Sequence, residues 1–510
     1  MVQAGQASGP FGTQDQGEPG TRNAGPGTTQ QLSEESRPVL CYRSLRLKTF
    51  DRSIIDGPLQ KAVWKLAWPT MLQNIIGGMQ GVVDHAMVGH YVGHAGNAAI
   101  GVSVQLWILV IVFISSVFTG MGVLVARFAG AGNHEAVNRT VYQAFLAAVL
   151  MAVFVMAPVG YFAAPFLLTM VHAAPEVQQV ALPFLRIMLV FSFGMLLFFM
   201  MSGALRAAGD AKTPLRLGIL MTILNVGFNI VLIGGFGPIP AFGATGAAIG
   251  TTLASALTGL VALWWLFTGR LVVKFTRTMS FKPDWPVIRE LFRFGLPTGV
   301  QGIAMNVAGV LLVRFIGSLP TSAEAQAAYA VGYTELFSLI TWTSVGLMGA
   351  ASAIAGQNLG AGKPDRAAQS AMAAAKIGLG VATVVGLAFI LVPGPLLGVF
   401  NLNDGVAGQI GRQLLAYLAV SGLFVTVALS FTGALQGTGD TKGPLYISLV
   451  SQVLVPISIC TFFQNFTGAR GLQASDIWLA IVCGHATRAT LSVIRFRQGA
   501  WKNIRVKAPA

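Results

Sequence analysis

The chain has 510 residues, of which 54% are hydrophobic and only 10% are charged, and its mean hydropathy is +0.67. Soluble proteins average about 25% charged residues, so this composition excludes an ordinary soluble domain and indicates a membrane protein. The formal net charge of +15 fits either a nucleic-acid partner or a membrane surface, and the positions of the basic residues decide between the two.

Residues 1–55 are predicted to form a disordered cytoplasmic tail. This segment is rich in Gly, Gln, Ser, Pro and Thr and has few large apolar residues before Leu40, a composition that cannot bury a core. It shows no compact apolar run near its start, so we expect no cleavable signal peptide. The three cysteines, Cys41, Cys460 and Cys483, are too few and too scattered for a disulfide framework.

Twelve transmembrane helices are predicted after the tail. A helix needs about 20 apolar residues to cross a hydrocarbon core of about 30 Å, and the chain contains several such runs without Asp, Glu, Lys or Arg. The longest, Leu217–Gly269, predicts two helices joined by a turn at residues 234–240. Alternation of period 2 is absent, which disfavours an outer-membrane barrel. The predicted spans are 62–89, 97–126, 140–164, 182–207, 213–236, 243–268, 289–317, 325–356, 368–395, 408–436, 443–464 and 474–495.

The Lys and Arg residues predict the orientation of these spans. With a cytoplasmic N-terminus, 29 of the 33 basic residues lie on the inner side, and only Arg186, Arg314, Arg412 and Arg470 lie on the outer side. This bias follows the positive-inside rule, so we expect both termini in the cytoplasm and a bacterial inner membrane. Membrane topology and anionic lipid headgroups then account for the basic charge, and no nucleic-acid partner is expected.

An internal repeat divides the spans into two sets of six. The stretch Gly203–Leu215 reads GALRAAGDAKTPL, and Gly433–Leu445 reads GALQGTGDTKGPL, at an offset of 230. Pro69 and Pro297 correspond at an offset of 228. Because six is even, both halves enter the membrane from the same side, which indicates a parallel repeat with a substrate site between two lobes. The predicted bundles are residues 56–275 and 276–500, followed by a cytoplasmic tail at 501–510.

The repeated stretch predicts a structural elbow. Gly209 and Gly439 can adopt the positive φ that ends a helix, and Asp210 and Asp440 can cap the helix that follows. The Gly-Ala-Gly turns elsewhere in the repeat lack a following Gly-Lys-Ser/Thr, so a phosphate-binding loop is not indicated. Any active transport must therefore use an ion gradient.

The set of motifs resembles the multidrug and toxic compound extrusion (MATE) family. The resemblance rests on the Leu-Pro openings of spans one and seven, VDHAMVGH at 83–90, GQNLGAGK at 356–363 and the two elbows, and it extends from about Lys61 to Arg497. It implies an all-α polytopic membrane protein with two six-helix bundles around a central cavity. It also implies an antiporter that exchanges protons or sodium for bulky, often cationic, organic compounds.

Asp84 is the leading candidate for ion coupling, because an ionisable residue within a span is costly and marks a functional site. It lies 16 residues beyond Trp68, about 24 Å along a helix, and its repeat counterpart is Leu312. Burial would disfavour the charged form of the carboxyl group, which allows a proton to bind. The resemblance implies that Asp84 acts in the first lobe, with Asn225 and Asn229 beside it. The alternative is that these polar side chains only join helices.

The second half offers a weaker set of candidates. Some sodium-coupled relatives carry a Glu in span seven and an Asp in span ten, whereas this chain reads Ala-Met-Asn at 304–306 and has no acid between Arg412 and Asp440. Proton coupling is therefore expected, with sodium as the second possibility. Glu335 could line the cavity and attract cations, or it could pair with Arg314. Its repeat counterpart, Gln105, is the matching cavity candidate.

No cofactor and no metal site are expected. His90 and His94 have an i, i+4 spacing, but they lie in a Gly-containing loop without a third ligand in sequence, so surface histidines are the favoured interpretation. His85 follows Asp84 and could influence its titration.

The prediction is a monomeric, non-enzymatic antiporter that exports amphipathic, often cationic, organic compounds and drugs by alternating access. A flippase for lipid-linked saccharides is the alternative within the superfamily, and it would need a strongly basic cavity for pyrophosphate. An intramembrane enzyme would need Ser/His or paired Asp residues within spans, and none is apparent. A major-facilitator transporter would carry a basic loop signature that residues 127–139 lack. A receptor or scaffold stays possible until transport is measured.

Overall fold

The computed structural model describes residues 50–171, 174–275, 281–402, 404–466 and 468–507, without the side chains of residues 94, 95, 97 and 469. Most of the predicted N-terminal tail and the last three residues therefore lie outside the described residues. Within the described ranges the secondary structure is helical, apart from turns and an isolated β-bridge between Phe236 and Ile239. That bridge lies in the turn predicted at residues 234–240.

Twelve long helical segments follow one another along the described chain. They are α1 Leu59–Val92, α2 His94–Gly130, α3 His134–Met170, α4 Pro175–Val190 with Phe193–Ala207, α5 Lys212–Gly234, α6 Gly243–Phe267, α7 Trp285–Gly317, α8 Ser322–Gly360, α9 Pro364–Leu391, α10 Gly405–Thr438, α11 Lys442–Phe466 and α12 Ala474–Arg497. Ten of them are long and apolar enough to cross a membrane, and α4, bent by 50°, is an eleventh. The remaining segment, α1, has 34 residues. The predicted all-α architecture of twelve helices is confirmed.

Helices α1–α6 form one bundle, the N-lobe, and α7–α12 form the other, the C-lobe. The N-lobe packs α2, α4 and α6 around an apolar core, and the C-lobe packs α8, α10 and α12 in the corresponding way. The lobes meet where α1 packs on α8 and α2 packs on α7. The two contacts are equivalent by the symmetry of the repeat, because α1 corresponds to α7 and α2 corresponds to α8.

Individual residues at the two contacts show the same symmetry. A Cβ atom on Gly346 of α8 would lie 2.6 Å from Cγ of Met71 on α1. A Cβ atom on Gly299 of α7 would lie 2.6 Å from Oγ of Ser116 on α2. Ser116 and Gly346 correspond at an offset of 230, and Met71 and Gly299 correspond at an offset of 228. The two lobes are thus related by a pseudo-two-fold axis, as a parallel repeat predicts.

The two elbows have the predicted geometry. Gly209 and Gly439 have φ values of 98° and 99°, the left-handed region that favours glycine. Asp210 Oδ1 accepts a hydrogen bond of 3.0 Å from the backbone N–H of Thr213, and Asp440 Oδ1 accepts one of 3.0 Å from Gly443. Each elbow therefore ends one helix and caps the next.

Both described chain ends lie at one end of the bundle, which we call the terminal end. Ile54, in a short helix before α1, contacts the first elbow at Gly209, and Ile504, after α12, contacts the second elbow at Gly439. The carbonyl oxygen of Ile504 accepts a hydrogen bond of 2.7 Å from Arg127 Nη2 of the N-lobe. The terminal segment after α12 therefore joins the C-lobe elbow to the N-lobe.

Candidate functional site

The N-lobe encloses a cavity of about 490 Å³, which we call the N-lobe cavity. Its polar side is formed by Gln73, Asn74, Gln80, Asp84, His85, Thr222 and Thr251. Its apolar side includes Trp107, Phe184, Met188, Met195, Phe198 and Phe199, and α8 of the C-lobe adds Trp342 and Val345. The cavity thus combines one carboxyl group with a wall of aromatic and methionine side chains, which adapts to varied apolar shapes.

Asp84 takes part in a chain of hydrogen bonds that runs from α1 through α5 to α6. Asn229 Nδ2 donates a hydrogen bond of 2.6 Å to Asp84 Oδ1. The same nitrogen lies 3.4 Å from Asn225 Oδ1, and Asn225 Nδ2 donates to Thr251 Oγ1 at 2.9 Å. Both asparagines are fully buried. Their i, i+4 spacing on α5 places the two amides on one helix face, so the sequence itself positions them together.

Gly250 of α6 makes this arrangement possible. A Cβ atom at Gly250 would overlap Oδ1 of Asn229, so any other residue there would displace the amide. A second hydrogen bond joins α5 to α1, since Thr222 Oγ1 donates to Gln80 Oε1 at 3.2 Å. The position of Asn229, and through it that of Asp84, therefore depends on the close approach of α6.

The structure brings together three of the five predicted site residues. Asp84 lines the N-lobe cavity and is joined to Asn229, which in turn lies beside Asn225. Glu335 and Gln105 are exposed and do not line this cavity. In the part of the chain that the structure describes, no ion pair joins Glu335 to Arg314.

A smaller cavity of about 270 Å³, the central cavity, lies between the lobes on the side toward the terminal end. It adjoins the N-lobe cavity, because Asn74, Phe199 and Val345 line both. Arg206 of α4 lines the central cavity and donates a hydrogen bond of 3.2 Å to Gln73 Oε1 of α1. From the sequence alone, Arg206 is one of the 29 basic residues on the predicted inner side and has no predicted role in a site.

The C-lobe encloses a cavity of about 180 Å³ with different chemistry. It is lined by Tyr329, Tyr333, Gln452 and His485 among other residues. Leu312, the repeat counterpart of Asp84, also lines it. Sequence reasoning missed His485, which is hydrogen-bonded to Ser421. Equivalent places in the two lobes thus hold a carboxyl group in one and an apolar side chain in the other, so the lobes are not chemically equivalent.

The family model described as MatE matches the chain twice, over residues 69–231 and 297–462. The two matches together cover well over half of the chain, and their starting positions differ by the same offset that relates Pro69 to Pro297 in the internal repeat. The chain belongs to the MATE family. The resemblance inferred from the sequence motifs is confirmed.

Several curated relatives of this MATE chain match it over almost its whole length. The probable multidrug resistance protein NorM of Thermotoga maritima is 25% identical over 452 residues, covering 87% of this chain and 93% of the relative. The uncharacterized transporter YisQ of Bacillus subtilis is 24% identical over 459 residues, covering 90% and 99%.

Solved structures of MATE proteins share the fold. An outward-facing conformation of a multidrug resistance MATE family transporter of the MOP superfamily superimposes with a TM-score of 0.79 at 21% identity, covering 90% of this chain and 100% of that chain. A MATE protein in the straight conformation gives a TM-score of 0.81 at 21% identity, with the same coverage. The two bundles of six helices are therefore the MATE fold.

Proposed function

We propose that this MATE protein is a secondary active exporter, which exchanges amphipathic, often cationic, organic compounds for protons by alternating access. The observation that carries the proposal is Asp84, a carboxyl group in the wall of a 490 Å³ cavity whose other side is aromatic and methionine-rich. Such a cavity offers an organic cation both apolar contact and a counter-charge. The names of relatives such as the multidrug resistance protein NorM support this substrate class.

Coupling follows from the presence of a single carboxyl group. Among the described residues that line the N-lobe cavity, Asp84 is the only acidic one. An organic cation and a proton each neutralise the carboxylate, so the two compete for it. If the protein converts between its inward-facing and outward-facing states only when this charge is neutralised, then it becomes outward-facing with substrate bound and returns to the inward-facing state with a proton bound.

Asn229 is suited to both forms of Asp84. An amide carries a donor and an acceptor, so Asn229 can donate to the carboxylate and, after rotation of its amide, accept from the carboxylic acid. In the described geometry Asn229 Nδ2 donates to Asp84 Oδ1, and Asn229 Oδ1 is buried without a hydrogen-bond partner. We infer that Asn229 holds Asp84 in place through the proton cycle, without being the coupling group itself.

The chemistry of the N-lobe cavity favours this function over a lipid-linked saccharide flippase. A pyrophosphate group needs cationic side chains around it, whereas the described lining of the N-lobe cavity contains no Lys or Arg. Carboxylate, amide and hydroxyl oxygens could also bind Na⁺, so sodium remains the second coupling ion to test. The 29-to-4 distribution of basic residues supports an inner-membrane location with both termini in the cytoplasm.

The test is ethidium transport in proteoliposomes with an imposed proton gradient, and in parallel a sodium gradient. Wild type is compared with Asp84→Asn, which keeps the shape of the side chain and removes the charge. The matched control is Glu176→Gln, since Glu176 is an exposed acid in the first turn of α4. We expect proton-driven transport in wild type and in the control, and its loss by at least about tenfold in Asp84→Asn, the effect of one lost charged interaction.

Two results would overturn the proposal. Full proton-driven transport by Asp84→Asn would place the coupling elsewhere in the molecule. Failure of wild type to transport ethidium under either gradient would exclude the proposed export of organic cations. Transport that is driven by sodium alone and is lost in Asp84→Asn would keep Asp84 as the coupling group and replace the proton as the coupling ion.

A further inference from the structure

Arg206 places a positive charge in the wall of the central cavity. It lies near the end of α4, lines the central cavity and donates to Gln73 Oε1 at 3.2 Å. A guanidinium group has five N–H donors, and this hydrogen bond uses one of them. Among the described residues, no carboxylate forms an ion pair with Arg206.

The repeat shows that the fold does not require this charge. The counterpart of Arg206 is Gln436, at an offset of 230, and the counterpart of Gln73 is Gln301, at an offset of 228. Gln436 Nε2 donates to Gln301 Oε1 at 3.3 Å. The C-lobe thus makes the same contact between equivalent helices with a neutral amide, and Gln436 also lines the central cavity. A glutamine is sufficient to join the helices, so the charge of Arg206 needs another explanation.

The two cavities place opposite charges at separate positions along α1. Asp84 lies 11 residues beyond Gln73 on that helix, a rise of roughly 16 Å at 1.5 Å per residue, and Gln73 marks the position of the guanidinium group. Met195 and Phe198, which precede Arg206 on α4, line the N-lobe cavity, and Phe199 lines both cavities. The described lining of the two cavities contains no other acidic residue and no other Lys or Arg.

We propose that Arg206 is a specificity-determining residue that binds the carboxylate of an amphipathic, zwitterionic substrate whose cationic group is bound at Asp84. Arg forms charge-assisted, often bidentate hydrogen bonds with carboxylates, and the apolar wall between the two charges accommodates an aromatic or aliphatic frame. The proposal rests on the proposed export function and refines its substrate class. A purely cationic compound would use Asp84 and the apolar wall but leave the guanidinium group unpaired.

Two dyes that differ in one group test this proposal. Acridine orange with an N10-linked 8-carboxyoctyl chain carries a free carboxylate, is zwitterionic at neutral pH and is long enough to reach from Asp84 to Arg206, whereas its methyl ester is a cation. Binding of each dye to the purified full-length protein is measured by fluorescence anisotropy, and transport is measured in proteoliposomes under a proton gradient. The variants are Arg206→Gln, which copies the C-lobe contact, Arg206→Lys, and the control Arg216→Gln, at an exposed position on α5.

We expect wild type and Arg216→Gln to bind the zwitterionic dye more tightly, relative to its methyl ester, than Arg206→Gln does. The ratio of the two affinities should fall by roughly tenfold or more in Arg206→Gln, the usual effect of losing a hydrogen bond between charged groups. Arg206→Lys keeps the charge but loses the bidentate geometry, so it should restore part of the ratio. A merely structural role of Arg206 would change the affinities for both dyes by the same factor.

The outcomes separate this inference from the proposed function. An unchanged affinity ratio in Arg206→Gln, or an equal loss for both dyes, would overturn the role of Arg206, while transport of the methyl ester by wild type would uphold the export function. A changed ratio without gradient-driven transport of either dye would support the binding role and contradict the export function. If wild type binds neither dye, the zwitterion site is overturned.

Discussion

Gly130 of α2 lies directly against the backbone of Gln357 of α8, because a Cβ atom at Gly130 would overlap the carbonyl oxygen of Gln357. The equivalent contact in the repeat has the two helices reversed: a Cβ atom at Gly360 of α8 would overlap the carbonyl oxygen of Arg127 of α2. Gln357 Nε2 also donates to the carbonyl oxygen of Ala207 across the lobes, at 2.7 Å. A symmetric pair of glycine contacts therefore closes the terminal end of the molecule.

Substitution of Gly130 by Val should open this end. The added side chain has no space against Gln357, and overpacking of this kind costs about 1–3 kcal/mol, enough to change the ratio of two facing states by roughly 5- to 150-fold. Spin labels on Lys212→Cys and Lys442→Cys, which are exposed and equivalent in the repeat, would report the distance between the lobes. We expect a longer distance at the terminal end in Gly130→Val.

Gly101→Val is the matched control for this experiment. Gly101 lies on the same helix, and a Cβ atom there would meet no heavy atom within 4 Å. Its distance distribution should equal that of wild type. An unchanged distribution in Gly130→Val as well would contradict the idea that this glycine contact holds the terminal end closed.

The two elbows should differ in stability. Asp440 Oδ2 forms an ion pair of 2.8 Å with Arg495, whereas the second oxygen of Asp210 accepts from the hydroxyl group of Thr213 at 2.6 Å. Asparagine is as good a helix cap as aspartate, so Asp→Asn removes the ion pair and keeps the cap. We expect Asp440→Asn to reduce the free energy of unfolding by about 1 kcal/mol more than Asp210→Asn, the upper range for a partly exposed pair.

Thermal unfolding in detergent, followed by tryptophan fluorescence, measures this difference. Asp210→Ala and Asp440→Ala should each lower the unfolding temperature further, because alanine removes the cap as well. Equal unfolding temperatures of the two Asn variants would show that the Arg495 ion pair contributes no net stability.

The parts of the site that the sequence predicts share one property, namely that they depend on local spacing or on the repeat. The elbows follow from Gly and Asp at fixed offsets, and the amides of Asn225 and Asn229 share a helix face because they are one turn apart. The family resemblance pairs Asp84 with Asn229, 145 residues away, and the structure places them 2.6 Å apart.

The parts that the sequence does not predict depend on how separate helices approach one another. Arg206 meets Gln73 across 133 residues, and His485 meets Ser421 across 64 residues. Spacing within a helix cannot indicate such pairs. The repeat offers a partial signal, because Arg206 and Gln436 differ at equivalent positions while the three residues before each of them, Gly-Ala-Leu, are identical. Glu335 has no comparable signal, since its polarity alone does not determine the direction in which it points.

The carboxyl groups of Asp51 and Asp56, at the terminal end, should not contribute to pH dependence near neutrality. Burial acts to raise the pKa of Asp51, but hydrogen bonds from Lys65 and Ser53 outweigh it and hold the pKa below its ordinary value of 3.8. The Lys363 ammonium group likewise lowers the pKa of Asp56. A carboxyl group with a lowered pKa contributes its full stabilisation of the folded state above its unfolded pKa, and this stabilisation is lost only as the pH falls through the lowered value. Both ion pairs therefore persist unchanged between about pH 5 and pH 8.

We expect the pH dependence of transport in that range to respond to the hydrogen-bond chain at Asp84. Asn229→Ala removes the amide that bonds directly to the carboxyl group, whereas Asn225→Ala removes the next amide in the chain. A hydrogen bond to a charged group contributes about 1.5–3 kcal/mol and one to a neutral group about 0.5–1.5 kcal/mol, so loss of Asn229 costs the carboxylate about 1 kcal/mol more than the acid, and about 1.4 kcal/mol corresponds to one pH unit. We expect the pH midpoint of proton-driven ethidium transport to move by up to about one unit in Asn229→Ala and by less in Asn225→Ala. Asn306→Ala is the control, because Asn306 Nδ2 donates to the carbonyl oxygen of Gly302 within its own helix. Equal midpoints in all three variants would show that Asn229 does not influence proton binding at Asp84.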